Sequence, residues 1–286
     1  MEGRQFIEFC RDGNLLGAQQ LYQLNPTIDI SAYNNFAFRL ACGNYYLHVA
    51  QWLLQVCPNI IDSISFKFVF WNACFNGNLN IVEWLLKVCP NIDISADNQR
   101  AFRWACENGH LELAKWLLQV SKERGQDIDI SVQDEYAFRS ACENGHLELA
   151  QWLLQVCPTI DISAKNEWAF RWACDDGHLH VAQWLLKVCP TIDISAHDEE
   201  AFINACCDKH LELAQWLQQM KPYLYVIYYD ENGNYKGYKI RSKEEANWEK
   251  RKYLVWLASN QCPDENKNNL LYKLPSDVSR LLIGFV

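Results

Sequence analysis

Residues 163–194 read "SAKNEWAFRWACDDGHLHVAQWLLKVCPTIDI". Two apolar segments of helical spacing, "WAFRWAC" and "HLHVAQWLL", stand on either side of Asp175-Asp176-Gly177. Asn166 occupies the place of an N-cap for the first helix, and Gly177 fits the left-handed residue that ends it. Pro190 stops the second helix, because proline lacks the amide hydrogen and its ring clashes with the preceding turn. The "IDI" beyond it is short and reads as extended. The stretch predicts two short antiparallel helices and a connector.

The same unit recurs on both sides. Ala-Cys occurs at residues 41, 73, 105, 141, 173 and 205, in steps of 32, 32, 36, 32 and 32. Tryptophans at 52, 84, 116, 152, 184 and 216 keep the same steps, and Phe9-Cys10 lies one period upstream, which makes seven copies. The longer step comes from "SKERGQD" (121–127), which replaces "CPT" (157–159). Asn34, Asn98, Asp134 and Asp198 repeat the expected cap, and Gly77, Gly109 and Gly145 repeat the expected stop. One helix pair cannot bury its own apolar face, so the copies are expected to stack and share a core. The tryptophan column and the two cysteine columns (42, 74, 106, 142, 174, 206 and 57, 89, 157, 189) then read as packing residues. C-x-x-C spacing is absent, which argues against a metal ladder. His110, His146, His178 and His210 also repeat, as a structural slot and not as catalytic bases.

With "AFRxAC" before it and "IDISA" after it, "NGHLELA" resembles the ankyrin repeat, whose consensus carries Gly-His-Leu-Glu and a leucine-rich second helix. The Trp-Leu-Leu, Cys-Pro and Ile-Asp-Ile-Ser variant resembles the ankyrin proteins of giant DNA viruses. The resemblance implies an all-α ankyrin-repeat solenoid over residues 1–220, whose concave face binds a partner protein. Two departures stand out: "WAFR" or "YAFR" replaces the family's Thr-Pro-Leu-His, and the finger before each first helix is shorter.

Composition narrows the function. Residues 1–220 carry 15 basic against 27 acidic side chains, and residues 221–286 carry 11 against 8. An acidic body argues against nucleic acid, whose binding depends on Lys and Arg displacing counterions. No stretch approaches the ~20 apolar residues that cross a bilayer, and the N-terminus is too charged for a signal peptide. Together with a cysteine-rich but framework-free pattern, this points to the cytoplasm. No nucleophile elbow, phosphate loop or metal cluster is present, so the expectation is a non-enzymatic protein without cofactor or metal.

On the ankyrin resemblance, the fingers and the residues just before each helix-ending glycine line the concave face. Those slots hold Asp97, Glu107, Asp134, Glu135, Glu143 and Glu167, followed by Asp175, Asp176, Asp198, Glu199 and Asp208. They imply a groove for a basic partner surface, with Arg103, Arg139 and Arg171 nearby to offset part of the field. The finger "SISFKFVFW" (63–71) differs from its sisters. Phe70 is in register with Phe38 and Phe102 and reads as core, whereas Phe66 and Phe68 are a candidate aromatic anchor unless the finger tucks them in.

The period stops after Lys221. "YLYVIYYDENGNYKGYKI" alternates about a turn and predicts a β-hairpin, and a helix after it completes a cap over 221–262. "DENGN" fails as a calcium loop, since Tyr235 and Arg241 stand where Gly and Glu are required. The tail (263–286) ends "LPSDVSRLLIGFV", which is similar to the opening helix of an F-box. That resemblance, and the repeats-then-tail layout shared with poxvirus ankyrin proteins, imply that Leu274, Pro275, Val278, Leu282 and Phe285 contact a cullin–RING ubiquitin-ligase adaptor. The same residues also suit an amphipathic helix folded onto the cap. Two functions follow: an interaction scaffold, or a substrate receptor for the ligase.

Overall fold

In a computed structural model of the chain, the described residues are 2–61, 65–249 and 251. Helices come in consecutive pairs: α1 (Glu2–Arg11) with α2 (Leu15–Leu24), α3 (Ala32–Gly43) with α4 (Leu47–Val56), and α5 (Ser65–Phe75) with α6 (Leu79–Val88). Four more follow: α7 (Ala96–Glu107) with α8 (Leu111–Glu123), α9 (Val132–Glu143) with α10 (Leu147–Val156), α11 (Ala164–Asp175) with α12 (Leu179–Val188), and α13 (Ala196–Cys207) with α14 (Leu211–Met220). Strands β1 (Tyr225–Tyr229) and β2 (Tyr235–Ile240) form an antiparallel hairpin, and residues 243–249 are helical. The period was thus read correctly as an all-α repeat with a small hairpin near its end. The chain divides into two compact units, Met1–Ala173 with His180–Asp193, and Cys174–Leu179 with Ile194–Val286.

Within the first unit, one contact between a pair and the next recurs four times. The phenylalanine of a first helix packs against the tryptophan of the following pair's second helix. Centroid distances are 6.1 Å for Phe6–Trp52, 6.2 Å for Phe38–Trp84, 6.4 Å for Phe102–Trp152 and 6.2 Å for Phe138–Trp184. The Ala-Cys dipeptides lie beneath, with Ala41, Ala105 and Ala141 fully buried. Small side chains there let successive first helices approach closely. Cys42, Cys74, Cys106 and Cys142 share that seam, and burial pushes their thiols well above the ordinary range. Cys10, at its start, is pushed up to about 12.

A second tie joins the turns. His110 Nε2 lies 2.8 Å from the Phe75 carbonyl and His146 Nε2 lies 3.1 Å from that of Glu107, so each ring donates from Nε2. Each imidazole covers the glycine of the preceding pair, where a Cβ on Gly77 or Gly109 would meet ring atoms at 2.4 or 2.5 Å. These glycines also hold φ of +72° and +75°, so the expected left-handed stop is present and has a steric reason besides.

The second unit closes on its hairpin. Tyr225 of β1 is fully buried and stacks on Phe202 of α13 at 4.0 Å, with its hydroxyl donating to Glu199. A tyrosine from a strand therefore serves Phe202 as the next pair's tryptophan serves the earlier phenylalanines. The connecting turn is held by Asp230, whose Oδ1 accepts from the amides of Asn232 and Asn234. Ser242 and Glu245 cap the following helix reciprocally, with each side chain accepting from the other's amide.

If the phenylalanine–tryptophan contact couples neighbours, Trp152→Ala should cost about 2 kcal/mol, below the ~3–5 of a fully buried aromatic because Trp152 is half-buried. Hydrogen exchange should show lost amide protection in α7, α9 and α10 and little change in α1–α4. Uniform loss along the chain would mean that the repeats do not couple through nearest neighbours.

Candidate protein-binding surface

The first helices of the pairs carry the surface where the copies differ, and five of the seven open with an unusual turn. Tyr33–Asn35, Asp97–Gln99, Gln133–Glu135, Lys165–Glu167 and His197–Glu199 are three-residue runs with φ between +52° and +67°. A left-handed turn of non-glycine residues costs roughly 1–2 kcal/mol per residue, least for Asn and Asp. Its middle position holds Asn34, Asn98, Asp134, Asn166 and Asp198. The sequence reading took these as N-caps, and the structure corrects it. They are selected because their short polar side chains tolerate the left-handed region.

Arginine offsets part of the strain. Arg103, Arg139 and Arg171 are buried, and their Nε atoms donate to the carbonyls of Asn98, Asp134 and Asn166 at 2.7, 2.5 and 2.7 Å. Their Nη2 atoms donate to the carbonyls of Asp97, Gln133 and Lys165 at 3.3, 3.0 and 3.3 Å. Each fork thus binds the turn of its own helix. Arg103 then faces the Tyr136 ring of the next pair at 4.8 Å, and Arg139 faces that of Trp168 at 5.0 Å. Burial lowers the pKa of all three, yet a guanidinium starting above 12 remains charged at neutral pH. The arginine column is a structural clamp, which sequence spacing had identified only as a source of positive charge.

The carboxylates expected to line the face are mostly engaged. Asp97 lies 3.7 Å from both Lys67 and Arg100, and Asp134 lies 2.8 Å from Lys165. Glu107 accepts from the Tyr136 hydroxyl at 3.0 Å, and Glu143 from Trp168 Nε1 at 3.4 Å. Glu135 is buried and Glu167 half-buried, each accepting a long 3.5 Å bond from the amide of Asp161 or Asp193. In the second unit Glu199 accepts from Tyr225, while Asp176, Asp198 and Asp208 are exposed. Burial, and after it Asp176 and Asp208, push the half-buried Asp175 carboxyl upward. Open negative charge therefore belongs to these last carboxylates more than to the first unit's inner helices.

The aromatic pair separates. Phe66 is buried, stacked on Phe38 at 6.1 Å and 19°, so it is part of the core and not an exposed anchor. A phenylalanine at the left-handed position would be strained, and α5 instead begins without that turn. Phe68 is 50% exposed and packs edge-on against Trp71 at 5.4 Å. Leu274, Pro275, Val278, Leu282 and Phe285 lie outside the described residues. Among the described residues no group of His, Cys, Asp and Glu could hold a metal ion, and no helix is long and apolar enough to cross a membrane.

Glu135 and Glu167 give a pH signature. Each has a buried Oε2 without a hydrogen-bond partner, and burial is the main cause raising its pKa. A carboxyl raised in the fold contributes its stability below the unfolded value and loses it as pH rises through the folded one. Gln99 fills the same slot two pairs before Glu167. Glu135→Gln should therefore raise Tm by on the order of 2 °C at pH 7, with the gain vanishing near pH 4. A loss at pH 7 would mean that the ionised carboxylate is supported in the fold, and a gain that persists at pH 4 would mean that ionisation is not its source.

Comparison with known proteins agrees with this architecture. A family model described as ankyrin repeats in three copies matches residues 38–134 and again residues 138–227. No curated protein matches the chain. The two matched stretches cover more than half of its length, and they include most of the clamped first helices, the Phe–Trp contacts of the central pairs and the first three residues of β1. The protein belongs to the ankyrin-repeat family.

Proposed function

We propose that the chain is a non-enzymatic scaffold that holds a partner protein against the face of its first helices. Ankyrin repeats form a protein–protein interaction domain, and one observation favours this face. Where the copies touch each other they agree, with phenylalanine at 38, 70, 102, 138, 170 and 202. Two residues earlier they hold Phe36, Phe68, Arg100, Tyr136, Trp168 and Glu200, a column that is aromatic in four copies, basic in one and acidic in one. A repeated core with a non-repeated face suits recognition of one irregular target better than any role in stacking.

In the second unit the partner surface is basic, because Asp176, Asp198 and Asp208 are exposed and form no ion pair among the described residues. The thiol columns favour a reducing compartment, and a viral origin, which the Cys-Pro and Ile-Asp-Ile-Ser variant favours, would place the scaffold in host cytoplasm. Charge reversal tests this reading. Partners captured on the full chain should be lost with D176K/D198K/D208K and kept with E112K/E148K, which alters the second helices. Equal behaviour of the two variants would remove the first-helix face from the mechanism.

The Leu-Pro-x-Asp pattern of residues 274–277 supports a second reading as a ubiquitin-ligase receptor. A chain ending at Lys273 should then lose the adaptor while keeping its Tm. Adaptor binding by neither version, together with a lowered Tm, would assign the tail to the cap.

A further inference from the structure

The first-helix face of the first unit changes character along its length. In α3 and α5 its outward positions are Tyr33, Phe36, Leu40, Phe68 and Phe75, and neither helix contains an Asp or Glu. From α7 onward the slot of Phe75 holds Glu107 and Glu143. A groove runs between α1 and α3, and Phe36, Arg39 and Leu40 line both it and a second groove that reaches Phe68, Asn72 and Trp104. Both grooves lie within one unit.

We propose that these joined grooves are an anchor site for a partner segment that carries a large apolar side chain beside a carboxylate. The inference rests on the interaction reading above and names the chemistry of what is bound. Three observations carry it. Tyr33 and Phe68 are 80% and 50% exposed, which for large aromatics in adjoining helices is a cost unless something covers them. Their platform is already rigid, because Phe68 rests on Trp71, and Trp71 lies between Lys67 and Arg100, each 4.6 Å from its ring. An ordered aromatic surface loses little entropy on binding.

Charge then selects the ligand. Arg4 pairs with Glu8 at 3.6 Å and Arg11 with Asp12 at 2.8 Å, while Asp29 accepts from the amide and hydroxyl of Ser31. Arg39 faces the Phe36 ring at 5.4 Å and has no carboxylate partner among the described residues. It stands where the two grooves meet. Its sisters Arg103, Arg139 and Arg171 are buried as clamps, whereas Arg39 is only half-buried, so its guanidinium can donate to a carboxylate from outside. The ligand is therefore acidic at this end, opposite in sign to the one that suits Asp176, Asp198 and Asp208.

The test selects short random peptides displayed on phage against the immobilised full chain, then measures the synthesised peptides by fluorescence anisotropy. Selected sequences should place Asp or Glu beside Leu, Phe or Trp. F68A should weaken them by about 30-fold, as expected for an aromatic hot spot, with Tm unchanged to within about 2 °C because half of the ring lies in solvent. R39E should weaken them as well, and replacing the peptide's carboxylate by Lys should restore binding to R39E alone. Basic peptides that depend on Asp176, Asp198 and Asp208 and ignore Phe68 and Arg39 would overturn this inference and leave the interaction reading standing. Peptides indifferent to Phe68, Arg39 and these three aspartates alike would overturn both. A dimer in sedimentation velocity that F68A dissociates would show that a second copy covers the face, which also overturns the inference.

Discussion

The fold depends on one contact made repeatedly, a phenylalanine from a first helix against a tryptophan from the next pair's second helix. A helix pair of this length has one broad apolar side and cannot bury it alone. The phenylalanine is fully enclosed only because the neighbour supplies the indole, at a centroid separation that stays between 6.1 and 6.4 Å in four instances. Alanine and cysteine in the same helix follow from this contact, since a larger residue at either place would hold the first helices apart. In the second unit Tyr225, supplied by a strand, takes the indole's place against Phe202.

Strain and recognition meet in the turns that open the first helices. Five runs of left-handed backbone cost energy that Asn or Asp at the centre reduces, and in three of them a buried arginine offsets part of it. The arginine that binds the turn also presents its flat face to the neighbour's aromatic ring, so a local feature becomes a link between pairs. Engagement of this kind changes the electrostatics. A row of carboxylates beside a row of arginines suggests a field to be read by a ligand. Here the arginines are consumed by carbonyls, and many carboxylates are held by tyrosine, tryptophan, lysine or backbone amides. What remains for a partner is the exception to each column: Arg39 without a carboxylate, Phe68 without cover, and three aspartates without an ion pair among the described residues.

Much of the fold was legible in the chain because it is periodic. Ala-Cys and tryptophan in matching steps fix six copies and Phe9-Cys10 adds a seventh, the Gly-His dipeptides fix the turns, and alternation after Lys221 fixes the hairpin. Each of these is a short-range or repeated pattern, so an error in one copy is corrected by the others. Asn34, Asn98, Asp134, Asn166 and Asp198 show the limit of that method. Their recurrence was visible, but the same residue types serve as helix caps and as left-handed turn residues, and only backbone torsions separate the two uses.

The sequence by itself therefore determined the repeat, its length, its packing columns and its family resemblance, because those follow from residue spacing. Tertiary structure decided which exceptional residues face outward. Phe66 and Phe68 are two positions apart in one deviant finger, yet one stacks on Phe38 and the other lies in solvent, since a helix turns about 200° between them. It likewise decided which charges are free, because the partners of Glu107, Glu143 and Asp134 are Tyr136, Trp168 and Lys165, each supplied by the following helix pair. Spacing along one copy carries no record of what the neighbouring copy places against it.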